Sequence, residues 1–186
     1  MRGDSVKSRR AFLAMSAAGA AAASLLASPA KALTLAPPQL HARTLKLVNL
    51  HTSEKLTATY WERGRYQEDA IKAISQVLRD HRNDQVTDMD PKLLDLLVDL
   101  HQKLDTSKPF EIISAYRSPE SNAKLRKTSR GVAKKSLHME GRAVDIRIPG
   151  VRTRDLWWAA HDMKLGGVGY YKKKFVHVDT GDVRYW

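Results

Sequence analysis

The chain has 186 residues, 42% hydrophobic and 28% charged, which excludes a disordered or fibrous protein and leaves room for one domain with its own core. It contains no cysteine, so disulfides, thiolate nucleophiles and thiolate metal ligands are all excluded; any metal must be held by His, Asp or Glu. The formal net charge of +12 points to an anionic partner.

Residues 1–32 combine a basic start, an Ala-rich apolar run from Ala11 to Ala27 and an A-x-A site at Ala30-Lys31-Ala32. These are the three parts of a cleaved export signal. Arg9 and Arg10 stand side by side before Ala11, Phe12 and Leu13, which resembles the twin-arginine signal, an address for the export of folded proteins. The alternative is a retained membrane helix. The run is at the edge of spanning length and alanine contributes little to insertion, so no stable membrane anchor is expected. Cleavage near Ala32 removes five basic residues and one acidic residue and lowers the charge from +12 to +8. An exported chain of that charge faces an anionic wall or membrane surface, and no nucleic acid is expected.

Residues 33–44 form a Pro-containing lead-in, and the domain is expected over 45–186. Two alternating runs flank "TSEK" and predict a hairpin. From Gln67 to about His81, Ala70, Ile71, Ile74, Val77 and Leu78 recur at helical spacing. A second helix is predicted after Asp90 as cap and Pro91 as first helical residue, with a leucine stripe from Leu93 to Leu104. His81 and His101 fall within these two segments and are read as ordinary helix residues. "FEIISAYRSPESNAKLRK" predicts a buried strand, a Ser-Pro turn and a helix, and "TSRGVAKKSLHMEG" a loop. "RAVDIRIPG" returns to β-alternation, "RTRDLWWAAHDMKL" is helical, and "GGVGYYKKKFVHVDTGDVRYW" is a closing hairpin turning near Lys172 to Lys174. Strands and helices are segregated, which predicts an α+β fold with a small antiparallel sheet flanked by helices.

His138 ends the loop, Asp145 lies on the following strand and His177 on a strand of the last hairpin. Two imidazoles and a carboxylate suit zinc and leave a fourth position open, as in a catalytic site. Alternation places Val144 and Ile146 toward the core and Asp145 toward the site, and Gly141 lets the backbone turn between the ligands. The spacing alone fits equally a loop histidine, an aspartate paired with an arginine and a half-buried strand histidine.

The pattern S-x-H-x-x-G-x-A-x-D, here Ser136, His138, Gly141, Ala143 and Asp145, resembles the metal motif of the D-alanyl-D-alanine carboxypeptidase-like zinc peptidases. That clan also includes the hedgehog signalling domain. "SAYRS", Ser114 to Ser118, resembles the strand that bears their substrate-binding arginine, and the chain's tail resembles the exported YcbK-type (MepK-like) branch of periplasmic murein endopeptidases. The resemblance covers roughly residues 45 to 186. It implies a hedgehog/DD-peptidase-like fold, Zn(2+) held by His138, Asp145 and His177, and Arg117 on a substrate carboxylate or the scissile carbonyl. It further implies periplasmic hydrolysis of peptidoglycan cross-links, between meso-diaminopimelate residues in that branch. A D-alanyl-D-alanine carboxypeptidase or endopeptidase, and a zinc-containing but catalytically silent wall-binding module, are the alternatives.

One departure stands out. Many relatives place a glutamate three residues before the third ligand or a histidine two before it, where this chain has Lys174 and Phe175. Asp179 shares a strand face with His177 and is a candidate either for general base or for a partner that orients His177. Glu140 is a further candidate for the base.

Overall fold

The computed structural model describes residues 42–129 and 131–186, all within the compact unit Pro38–Trp186. The expected export signal, with Arg9 and Arg10, lies outside the described residues, as does the lead-in up to residue 41. The strands are β1 (Arg43–Asn49), β2 (Lys55–Glu62), β3 (Arg65–Tyr66), β4 (Phe110–Ser114), β5 (Ala143–Arg147), β6 (Gly167–Tyr171), β7 (Phe175–Asp179) and β8 (Arg184–Tyr185). The helices are α1 (Glu68–Val77), α2 (Pro91–Lys103), α3 (Pro119–Thr128) and α4 (Thr153–Met163).

Among the described residues the eight strands form one sheet in the order β3-β2-β1-β4-β5-β7-β6-β8. The α+β class is as expected, and the sheet is wider than anticipated and mixed. β1 pairs with β4, and β6 with β8, in parallel; the other neighbours are antiparallel. The parallel β1–β4 pair follows from the connection between them, which runs through both α1 and α2 and is long enough for a crossover.

Local chemistry fixes the ends of the elements. Asp90 caps α2 by accepting a hydrogen bond from the Lys92 amide at 2.9 Å, with Pro91 at the first helical position. α1 is shorter than its periodicity suggests and stops at Val77, so His81 lies in the turn beyond it. The buried Asp80 carboxylate accepts from the amides of Arg82 and Ser118, which gives the chain a non-helical way to satisfy those donors. His81 stacks on His51 at 3.7 Å, and His101 of α2 stacks on Phe110 at 4.0 Å.

The core occupies one face of the sheet. Phe110 and Ile112 of β4, Val144 and Ile146 of β5, and Val176 and Val178 of β7 are buried in one cluster with the leucines of α2. α1 packs on β2, α2 on β1, and α4 on β6 and β7. Because side chains alternate, Asp145, His177 and Asp179 are carried on the opposite face.

Candidate active site

Three adjacent strands line up the site. Asp145 of β5 pairs directly with His177 of β7, and His177 with Gly169 of β6. On the other side a bulge in β4 shifts the register between Ile112 and Ser114, so that Ser114 stands opposite Asp145 rather than opposite Val144. His138 enters from a single 3₁₀ turn, Leu137–Glu140, which ends on Gly141. Gly141 has φ +66°, and a Cβ there would lie 2.5 Å from the Asp88 carbonyl oxygen. Only glycine closes the turn so tightly.

The turn and strands bring His138, Asp145 and His177 together, with one ligand atom of each within 4.8 Å of the others, all three side chains buried. His138 donates from Nδ1 to the Ala115 carbonyl oxygen at 2.6 Å, which leaves Nε2 facing Asp145 Oδ1 at 3.4 Å. His177 Nδ1 lies 2.9 Å from Asp145 Oδ1, and its Nε2 lies 2.9 Å from Asp179 Oδ2. Each imidazole thus has one nitrogen fixed from behind by an oxygen acceptor and the other turned toward Asp145, the arrangement in which histidines bind metal. Two imidazoles and a carboxylate, with Asp179 held behind His177 rather than in the cluster, fit zinc with an open position.

The electrostatics favour a cation at this spot. Burial alone would lower the pKa of His177, but Asp145 and Asp179 outweigh it and raise the value above the ordinary one. Burial would likewise raise Asp145, yet His138 and His177 hold it well below the usual carboxylate range.

The three groups open onto a cleft of about 420 Å³. Arg117, just past β4, lines it; its amide donates to the His138 carbonyl oxygen at 3.1 Å and its Nη1 to Asn122 Oδ1 at 3.3 Å. Its Nε is buried without a hydrogen-bond partner, and burial pulls the guanidinium pKa down. Lys135 and Arg184 also line the cleft, and Asp145 is its only acidic side chain among the described residues. Asp179 sits behind His177, fully buried: it accepts from the amides of Gly167 and Gly181 and from both terminal nitrogens of Arg184, and its pKa is lowered. Glu140 points away to an ion pair with Arg142 at 3.2 Å.

The family model described as peptidoglycan L,D-endopeptidase MepK matches residues 38–186. The chain belongs to this family of peptidoglycan endopeptidases. The peptidoglycan L,D-endopeptidase MepK of Escherichia coli K12 is 42% identical over 179 residues, covering 96% of each chain, and that of Shigella flexneri is equally similar. The probable peptidoglycan L,D-endopeptidase MepK of Haemophilus influenzae is 38% identical over 146 residues, 77% of this chain and 78% of its own. No solved structure matches the chain.

The sequence reading did not single out Ser114, Tyr171, Arg184 or Trp186, although the last three line the cleft. Tyr171 and Gly169 share a face of β6, so alternation counted from the residue opposite His177 leads to Tyr171. Trp186 had no such signal, because the two-residue β8 is too short to show alternation and pairs with β6 rather than with β7, the strand before it.

Proposed function

We propose that this cleft hydrolyses an amide of peptidoglycan cross-links with one zinc ion held by His138, Asp145 and His177. The observation that carries the reading is the convergence of those three ligand atoms beside the buried Arg117. When bound, zinc supplies a Lewis acid that brings the pKa of water toward neutrality and polarises the scissile carbonyl. Arg117 holds a substrate carboxylate: its unpartnered buried Nε and its planar donors suit a bidentate anion. Lys135 and Arg184 extend the positive lining toward the carboxylates of wall peptides. The L,D-endopeptidase names of the relatives favour the bond between two meso-diaminopimelate residues.

Asp179 acts as the group that orients His177. Its two oxygens already accept five hydrogen bonds and it is sealed from the cleft, which suits a fixed acceptor better than a proton shuttle. Residues 1–32 direct the chain to the periplasm by the twin-arginine route, where the wall substrate lies. Among the described residues no helix is long and apolar enough to cross a membrane.

The test incubates residues 33–186 with purified cross-linked muropeptides, with and without a chelator, and follows products by chromatography and mass. Dimers joined through two diaminopimelate residues should become monomers, chelation should stop the reaction, and Arg117→Ala should mainly raise KM. Dimers that bind yet stay uncut from about pH 5 to 9 with zinc bound would identify a silent wall-binding module instead.

A further inference from the structure

Opposite His177 the sheet has a gap. Gly169 is its cross-strand partner and offers no side chain, and the space is filled by the indole of Trp186. A Cβ on Gly169 would lie 2.6 Å from Trp186 Cε2, so the indole rests directly on the backbone of β6. From there its ring stands 5.1 Å from the ring of His177. Trp186 is pinned at its backbone by bonds to Val168 and Tyr170, and the Arg184 guanidinium lies 5.2 Å from its ring. The indole nitrogen reaches the hydroxyl of Tyr171 at 3.2 Å.

That contact has a fixed polarity. An indole N–H can only donate, so the Tyr171 oxygen must accept, and the one phenolic proton is left to point elsewhere. The Tyr171 ring is itself held by stacking on Phe175 at 4.3 Å, and both line the cleft with Arg117, His138, Asp145 and His177. We propose that Tyr171 is a catalytic hydroxyl, which donates a hydrogen bond to the oxygen of the scissile carbonyl as negative charge develops there. Trp186 is the positioning residue that aims it, and Gly169 is what lets Trp186 reach it. The phenol adds a donor that is fixed by its stacking and by the indole to a cleft that also holds the guanidinium of Arg117 and the ammonium of Lys135, and it needs no carboxylate base to do so.

This inference rests on the proposed hydrolysis. Its test compares the zinc-loaded chain of residues 33–186 with Tyr171→Phe, Trp186→Phe, Gly169→Ala and the Tyr171→Phe/Trp186→Phe pair on cross-linked muropeptides. Tyr171→Phe should lower kcat by about a hundredfold with KM nearly unchanged and zinc content at one per chain, because the lost bond is made chiefly in the transition state. Trp186→Phe and Gly169→Ala should lower kcat by about tenfold, as a misaimed donor does, and Trp186→Phe should add nothing in the Tyr171→Phe background. A second readout is independent of turnover: the indole ¹H–¹⁵N resonance assigned to Trp186 by its loss in Trp186→Phe should move in Tyr171→Phe.

Wild-type turnover with Tyr171→Phe within twofold of it overturns the inference and leaves the hydrolase standing. An unmoved Trp186 resonance, or a full second loss in the double variant, overturns the aiming role of the indole. A wild type that cuts no muropeptide overturns the functional reading and this inference with it.

Discussion

His177 depends on the residue behind it. Its ring is gripped between Asp145 and Asp179, and Asp179 in turn is clamped by Arg184 and two backbone amides, so the imidazole cannot swing without breaking two charge-assisted bonds, one of them to a carboxylate that is itself fixed. Asp179→Asn keeps the shape but weakens that grip. Competition titration with a chromophoric chelator should show zinc affinity falling about tenfold to a hundredfold. Unchanged affinity together with a drop in kcat on the order of a hundredfold would instead mark Asp179 as the base. Of the candidate ligands, His138 stood out through the family motif, and for Asp145 and His177 strand alternation, which fixes which residues share a face, added a physical reason. Asp145 is flanked by the core residues Val144 and Ile146, and His177 by Val176 and Val178, so a polar residue in each run has to face away from the core. Arg117 was reached through resemblance to a family strand, and its buried, unpartnered Nε is a feature that only the fold brings to light.

Among the elements, helix ends and strand pairings decide where the site's walls stand. α2 was legible from its Asp90-Pro91 start and leucine stripe, and the last hairpin from alternation on both sides of Lys172 to Lys174. The parallel pairing of β1 with β4 was not, because it joins segments some 60 residues apart with no local mark on either. Nor was the turn after α1, where a single buried carboxylate overrides helical periodicity. Asp80 accepts from the amide of Ser118, the residue after Arg117, and so ties the end of α1 to the start of α3. Burial alone would raise its pKa, but hydrogen bonds from Ser121, Ser118 and Arg82 outweigh this and bring it down to about 2. A folded pKa below the unfolded value means that the stabilisation is complete above the unfolded pKa, about 3.9, and is lost as the pH falls through about 2. Asp80→Asn should therefore cost about 2 kcal/mol at pH 7, with the gap to wild type closing toward pH 2. Urea melts of both proteins across that range measure it, and a gap that stays constant down to pH 2 would contradict the assignment.

For the molecule as a whole, the candidate metal ligands bind together parts of the chain that the sheet alone joins only edge to edge. His138 belongs to the 3₁₀ turn, Asp145 to β5 and His177 to β7, and Asp90 of α2 reaches the same region by accepting from Thr180 Oγ1 at 2.8 Å and donating its amide to the Gly141 carbonyl oxygen. No disulfide assists, since the chain has no cysteine. A metal that binds the folded cluster and not the unfolded chain stabilises the whole domain by mass action, about 2.7 kcal/mol at a free concentration one hundred times Kd. For a domain of this size that corresponds to a rise in Tm of about 5 to 10 °C. Calorimetry of residues 33–186 in zinc buffer and in excess chelator should show that difference. His138→Ala should melt at one temperature in both solutions, because it has lost a ligand, whereas His81→Ala and His101→Ala should keep the full gap. Those two histidines lie against His51 and Phe110, away from the cluster, so the three variants separate metal linkage from the general effect of removing an imidazole. Equal melting temperatures for the wild type with zinc and with chelator would show that the ion does not bind here preferentially in the folded state, and would remove the basis for assigning these ligands.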